Sequence, residues 1–275
     1  MPLTAEQLDA YCTRIAYSGP RRSDLATLSG IVAAHARAIP FENLDVLLRR
    51  PVRLDRDPLF DKLVRRRRGG YCFEHNTLLL QALAALGFDA EGLGARVVWL
   101  RNDDEMPPRT HMLLRVALPE GPYLADVGFG GLTLTSPLRL EAGPEQQTPH
   151  ELHRLVRLDE RELMLEARLG EGWTRLYRFT LERQFPIDYE VANWFTSTEP
   201  HGLFTNNLLM ARPEPDCRYA MMNGEFTVRW RDGRREQRRI AGADDLGDIL
   251  DRHFLVDLPK EDVAAVAAAI LPAAA

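Results

Sequence analysis

The spacing of apolar residues changes character near Gly87. Upstream, apolar positions recur every three to four residues, the period of a helix with one buried face. Thr4, with Gln7 three residues later, predicts a capping box and a helix carrying Leu8, Tyr11 and Ile15 that Ser18-Gly19-Pro20 stops. Leu25, Leu28, Ile31, Val32 and His35 predict a second helix ending before Pro40. Leu59, Phe60, Leu63 and Val64 predict a short third one, broken at Gly69-Gly70. A fourth begins near Cys72, keeps Phe73, Leu79, Leu80, Leu83 and Leu86 in its pattern, and ends at Gly87, suited to the position after a helix.

Downstream the apolar runs shorten to strand length and alternate with turn residues. Residues 95–100, 111–118 and 123–129 are candidate strands, the last two joined across Pro119-Glu120-Gly121-Pro122. Residues 152–158, 163–167 and 173–179 continue this as an antiparallel meander. Asn223-Gly224 and Asp232-Gly233 each lie between strand-like runs and predict two late hairpins. A helix then opens at Asp245 through Leu246, Ile249, Leu250 and Phe254, and another covers 261–270. Helices first, strands next and a mixed end describe an α+β chain. No repeat or Gly/Ser tract separates its regions, so they are expected to pack closely.

At 275 residues, 45% hydrophobic and 27% charged, the chain has the ordinary globular mix and length for a substantial core. Its net charge of -5 argues against a dedicated nucleic-acid binder. The longest apolar stretches, 78–86 and 263–275, are too short for a membrane helix. The opening Met1-Pro2-Leu3-Thr4-Ala5-Glu6 lacks the basic and apolar regions of a secretory signal, so a cytoplasmic location is expected. Cys12, Cys72 and Cys217 are odd in number, widely spread and without a CxxC pair, which predicts reduced thiols.

Cys72 carries the strongest chemical signal. It follows Arg65-Arg66-Arg67-Arg68-Gly69-Gly70-Tyr71 and opens a helix, so a glycine turn would present its sulfur at a helix N-terminus beside positive charge. Such a setting favours the thiolate, the nucleophilic form. A buried cysteine packing as a small apolar side chain is the competing reading. The arginine run reads as a solvated helix face that could also draw in an anionic substrate.

A cysteine nucleophile needs a histidine base and a group to orient it. His75, three residues after Cys72, leaves the same rigid helix at a poor angle for a linear hydrogen bond and reads as a packing or solvated residue. His111 heads a predicted strand whose hairpin partner contains Asp126; pairing across a turn near 119 and 120 would bring imidazole and carboxylate together. Gly128, Gly130 and Gly131 after Asp126 permit close backbone approach but match no phosphate-loop or dinucleotide pattern. His150-Glu151-Leu152-His153 is one residue short of the HExxH zinc pattern, so no metal is expected.

Ile39-Pro40-Phe41-Glu42-Asn43-Leu44-Asp45, Arg68-Gly69-Gly70-Tyr71-Cys72-Phe73-Glu74-His75-Asn76, Thr110-His111-Met112 and Asp126-Val127-Gly128-Phe129-Gly130 together resemble the ordered motifs of arylamine N-acetyltransferases. The match is specific over residues 11–131 and looser afterwards, where Glu199-Pro200-His201-Gly202-Leu203-Phe204 and the late hairpins are compatible. The resemblance implies an N-terminal helical bundle (1–88), a central antiparallel β-barrel-like domain (89–190) and a C-terminal α/β lid (191–275), with a core arranged as in cysteine proteases and transglutaminases. It implies Cys72 as nucleophile, His111 as base and Asp126 as orienter, in agreement with the residue-level reading. The implied reaction is ping-pong: acetyl passes from acetyl-CoA to Cys72, then to the nitrogen of an arylamine, arylhydrazine or arylhydroxylamine.

The resemblance further places Phe41, Phe129 and Phe204 along the acceptor site, where flat walls suit an aryl ring. Thr110, Gly128, Gly130 and Gly131 fall in the neighbourhood of the CoA approach. His75 stands where the family usually has an uncharged side chain and receives no role. Other readings are an amide synthase closing a macrolactam from a carrier-bound acyl chain, a thiol hydrolase or transglutaminase-like enzyme, and a ligand-binding module with a vestigial triad. The acceptor's identity, the donor's chain length and the oligomeric state stay open.

Overall fold

The structure, a computed structural model, describes residues 1–102 and 105–271. The last four residues of the apolar stretch that ends at Ala275 lie outside the described residues.

The N-terminal helices follow the sequence closely. Helix α1 (Ala5–Arg14) starts with the expected capping box, both reciprocal hydrogen bonds between Thr4 and Gln7 being made. Asp24 caps α2 (Leu25–Ala38) through the Thr27 N–H. The chain then forms a two-residue strand β1 (Phe41–Glu42), a single turn α3 (Leu44–Leu47), and α4 (Arg56–Phe60), which runs into a π-helical turn (Asp61–Arg65). Helix α5 (Cys72–Ala85) ends ahead of Gly87, which takes φ +82°. Of the four arginines read as a solvated face, Arg65, Arg66 and Arg67 are exposed but Arg68 is buried. Arg68, just past the π-helical turn, points inward to the carboxylates of Glu42 and Asp45.

An eight-stranded antiparallel sheet follows: β2 (Asp89–Val97), β3 (His111–Leu118), β4 (Gly121–Ala125), β5 (Leu138–Arg139), β6 (Glu145–Gln147), β7 (Leu152–Arg157), β8 (Glu162–Leu169) and β9 (Gly172–Arg183), ordered 5-4-3-2-9-8-7-6. The edges β5 and β6 come together, with the Gln146 amide hydrogen-bonded to both backbone groups of Arg139, so the sheet nearly closes into a barrel. Strand β2 begins six residues before the expected 95 and stops at Val97, because residues from Asp89 onward pair with β3. Strands β3 and β4 close on the two-residue turn Pro119-Glu120, Leu118 opposite Gly121.

Helix α6 (Pro186–Thr198) was not expected. It leads through α7 (Leu203–Asn206) into the strands β10 (Leu209–Pro213), β11 (Cys217–Met222), β12 (Glu225–Trp230) and β13 (Arg235–Arg239) and the helices α8 (Ala243–Phe254) and α9 (Lys260–Ile270). Both expected hairpins are present, β11–β12 around Asn223-Gly224 and β12–β13 around Asp232-Gly233. Strand β1 joins this second sheet at β10, so residues 41–42 belong structurally with the C-terminal region. The apolar side chains collect in three clusters: among the helices, inside the barrel-like sheet, and between the second sheet and α8–α9. No helix among the described residues is long and apolar enough to cross a membrane.

Candidate active site

The helical region and the barrel-like sheet meet at Cys72, the first residue of α5. Oε2 of Glu74 accepts the Tyr71 N–H at 3.1 Å and so caps the helix start. The thiol lies 3.6 Å from the Thr110 carbonyl oxygen and is close enough to the His111 imidazole to act on its charge.

His111 is the first residue of β3, and its Nε2 is 2.7 Å from Oδ2 of Asp126. Nδ1 is the ring nitrogen that Asp126 does not occupy. Extending the β3–β4 register by three pairs sets position 111 across from 128, so Asp126 reaches the ring diagonally, just past the end of β4. All three side chains are buried. Burial disfavours charge on His111, but the charge and hydrogen bond of Asp126, with the thiol, outweigh it and raise the imidazole to about 10. Burial pushes the Asp126 carboxyl up, and the imidazole with hydrogen bonds from Asn76 and Gly128 more than offsets this, holding it below the usual carboxylate range. The pair is therefore imidazolium and carboxylate at neutral pH.

Asn76 had no assigned role, yet it ties the site together. Its Nδ2 donates to Oδ1 of Asp126 at 3.0 Å and to the Met112 carbonyl at 2.7 Å, and its Oδ1 accepts the Val127 N–H at 3.2 Å. The signal was available: a residue four positions after Cys72 shares its helix face. Gly128 is required by packing, since a Cβ there would sit 2.7 Å from the Cys72 Cα and 2.9 Å from the Asn76 amide nitrogen.

Two groups of aromatic rings border this triad. Phe129 meets His111 edge-on at 5.5 Å between centroids and contacts Tyr177 and Trp99 at 5.4 and 5.9 Å. On the side of Tyr71, the half-buried Phe204 packs on Phe41 at 6.0 Å and on Tyr71 at 5.6 Å. The backbone from Gly128 to Gly131 runs past Cys72, the Phe41 ring and Trp99 in turn. Trp99, packed on Phe129, is a residue that the strand pattern gave no reason to single out. His75, by contrast, is fully buried, which removes the solvated reading and leaves the packing one.

Beneath the nucleophile's loop lies a buried charge cluster. Arg68 binds Glu42 at 2.8 Å and Asp45 at 3.1 Å, and Lys62 binds Asp45 and Glu74 at 2.7 Å each. His150 and His153, near the rejected zinc pattern, are engaged by Thr135 and by the backbone of Glu214 and Glu151. Among the described residues, no group of three or more His, Cys, Asp and Glu is placed to hold a metal ion.

A family model described as N-acetyltransferase matches residues 24–263. The arylamine N-acetyltransferase of Mycolicibacterium smegmatis is 50% identical over 274 residues, covering 97% of this chain and 99% of that one. The chain belongs to the arylamine N-acetyltransferase family. A second family member, from Escherichia coli, is 40% identical over 248 residues, 90% of this chain and 88% of that one. Among solved arylamine N-acetyltransferases, that of Mycobacterium marinum in complex with CoA superposes with a TM-score of 0.92 at 39% identity, covering 96% of this chain and 100% of that one. The fold is thus the arylamine N-acetyltransferase fold.

Proposed function

We propose that this chain moves an acetyl group from acetyl-CoA, through a thioester on Cys72, to the nitrogen of an arylamine, arylhydrazine or arylhydroxylamine. The observation that carries the proposal is the buried Cys72–His111–Asp126 array in a chain of this family. In the first half, the Cys72 thiolate attacks the acetyl carbon, the bond to the CoA sulfur breaks, and the His111 imidazolium gives its proton to the departing thiolate. In the second, the amine attacks the thioester, His111 takes the amine proton, and the Cys72 sulfur leaves as thiolate. Asp126 keeps the ring oriented and balances its charge throughout. Phe41, Phe129 and Phe204 are read as walls for the acceptor ring, and the backbone at Thr110, Gly128, Gly130 and Gly131 as neighbours of the CoA approach.

We read residues 1–88 as the part presenting the thiol, 89–190 as the part presenting His111 and Asp126, and 191–275 as the lid carrying Phe204. The clusters inside the barrel-like sheet and under α8–α9 support the second and third parts, whereas the helical cluster also takes in Met112, Leu114 and Ala211, and both β1 and α6 cross the boundaries. Three buried unpaired cysteines suit a reducing compartment, and the location proposed is cytoplasmic. The partners proposed are small molecules. Intact-protein mass spectrometry with acetyl-CoA alone, followed by peptide mapping, tests the reading. One acetyl group on Cys72, discharged by an aromatic amine, is expected; a folded, thiol-reactive protein that gains none overturns it.

A further inference from the structure

Three side chains, from α1, α2 and α5, form a hydrogen-bonded chain that the acyl transfer does not use. Nε2 of His75 is 3.1 Å from the Pro40 carbonyl oxygen, Nδ1 of His75 is 2.9 Å from Nε2 of His35, and Nδ1 of His35 is 2.8 Å from the Tyr11 hydroxyl. A carbonyl only accepts, so His75 carries its hydrogen on Nε2. Its Nδ1 must then accept from His35 Nε2–H, and His35 Nδ1 must accept from the Tyr11 O–H. One carbonyl thus fixes both tautomers. Burial lowers the proton affinity of both imidazoles, with His75 brought down to about 4, so both are neutral at physiological pH. A chain that ends on a carbonyl cannot pass a proton to Cys72; its product is a fixed position.

What it fixes is the segment around Phe41. The Pro40 carbonyl accepts a second hydrogen bond from the Gly70 N–H at 3.3 Å, and the Glu42 N–H donates to the Gly70 carbonyl at 2.7 Å. The Pro40 oxygen lies so close to Gly69 that a Cβ there would collide with it. The Phe41 ring is within 10° of parallel to the His75 imidazole, at 6.5 Å between centroids. Elsewhere the ring abuts Gly130 and Phe204. His75 therefore bears on both the backbone and the ring plane of Phe41, through the Pro40 carbonyl and the parallel rings.

We infer that His75, oriented by His35 and Tyr11, is a positioning residue for the acceptor half of the reaction: it holds Phe41 as a wall of the aryl site. The inference rests on the acyl-transfer reading above. Ping-pong chemistry separates its consequences, because acetyl-CoA alone reports the first half and the acceptor KM reports the second.

The test measures the burst of CoA release from acetyl-CoA alone, then the KM for one aromatic amine. His75→Leu is expected to keep the burst rate within about twofold and raise the acceptor KM about fivefold to tenfold, the scale of losing one or two neutral hydrogen bonds. His75→Gln, whose amide can donate to Pro40 and accept from His35, is expected to restore most of the affinity. Phe41→Leu should raise the KM by itself, and adding His75→Leu should then add little, since coupled positions are not additive. Tyr11→Phe, the mildest change, should shift the KM in the same direction by about twofold. A normal burst with an unchanged KM in His75→Leu or Tyr11→Phe overturns the inference. So does an undiminished His75→Leu effect in the Phe41→Leu background, or equal slowing of both halves. If the unsubstituted protein gives no burst, the acyl-transfer reading fails and takes this inference with it.

Discussion

Lys62→Met probes the buried charge cluster beneath the nucleophile's loop. The Lys62 ammonium, 9% exposed, is 2.7 Å from both Asp45 and Glu74, and its loss leaves Glu42, Asp45 and Glu74 facing Arg68 alone. Removing one partner of a buried ion pair costs about 3–5 kcal/mol. At about 2–4 °C per kcal/mol for a chain of this size, the melting temperature should fall by roughly 10 °C. The loss should also depend on pH. Burial pushes Glu74 up from 4.5, Lys62 restrains the rise only in part, Glu42 adds to it, and the carboxyl reaches about 7. The folded state therefore binds this proton more tightly than the unfolded one. Glu74's contribution to stability is fully present below pH 4.5 and is lost as pH rises through about 7. Without Lys62 the folded carboxyl rises further, so the loss continues above pH 7 at up to about 1.4 kcal/mol per unit. Thermal melts of both proteins at pH 6 and pH 8 should show the deficit larger at pH 8 by about 1–2 kcal/mol, and Glu74→Gln should remove the difference. A fall of less than about 2 °C, or the same deficit at both pH values, refutes the reasoning.

Cys72→Ser should leave no measurable acetyl transfer while the melting temperature stays within about 2 °C, because the helix cap is made by Glu74 rather than by the sulfur. Asp126→Asn should lower turnover by about a hundredfold to ten-thousandfold and slow iodoacetamide alkylation of Cys72 at pH 7; unaltered alkylation contradicts a part for Asp126 in activating the thiol. His111 gains stability from a raised affinity, fully present below 6.5 and lost as pH rises through about 10, so unfolding midpoints of the unsubstituted protein should drop between pH 8 and 10. That drop should be much smaller in Asp126→Asn. Gly128→Ala should cost about 1–3 kcal/mol in urea unfolding and most of the activity, since its Cβ must displace the Cys72 backbone.

The longer helices up to Gly87 were legible because they bury an apolar stripe, and α1 and α2 also carry side-chain caps at Thr4 and Asp24; the single turn α3 has no side-chain cap and was not expected. Helix α6 was not, even though Pro186 and Asp188 mark its start and Asp188 accepts the Phe185 N–H. Its apolar residues Ile187, Val191 and Trp194 recur at helical spacing, so the signal was present, but they are more than half exposed and the face that α6 buries carries Tyr189, Asn193 and Thr196 instead. In the site, Cys72, His111 and Asp126 could be read from residue type and hairpin geometry, and Asn76 was readable from its place on the helix face of Cys72, whereas Trp99 could not be separated from ordinary strand positions.

The sequence by itself determined the local units: which segments coil, where hairpins turn, and that a thiol would sit at a helix start with a histidine and an aspartate across one turn. Those follow from caps, glycines and apolar spacing, whose interactions span only a few residues. The tertiary structure decided what those units do to one another. It turned Arg68 inward to Glu42, gave β1 to the C-terminal sheet, and buried His75 between His35 and Pro40. Each of these joins residues more than twenty positions apart, or sets a side chain's burial by what packs over it. Such pairings depend on the shape of the whole chain, and no periodicity within a segment records them.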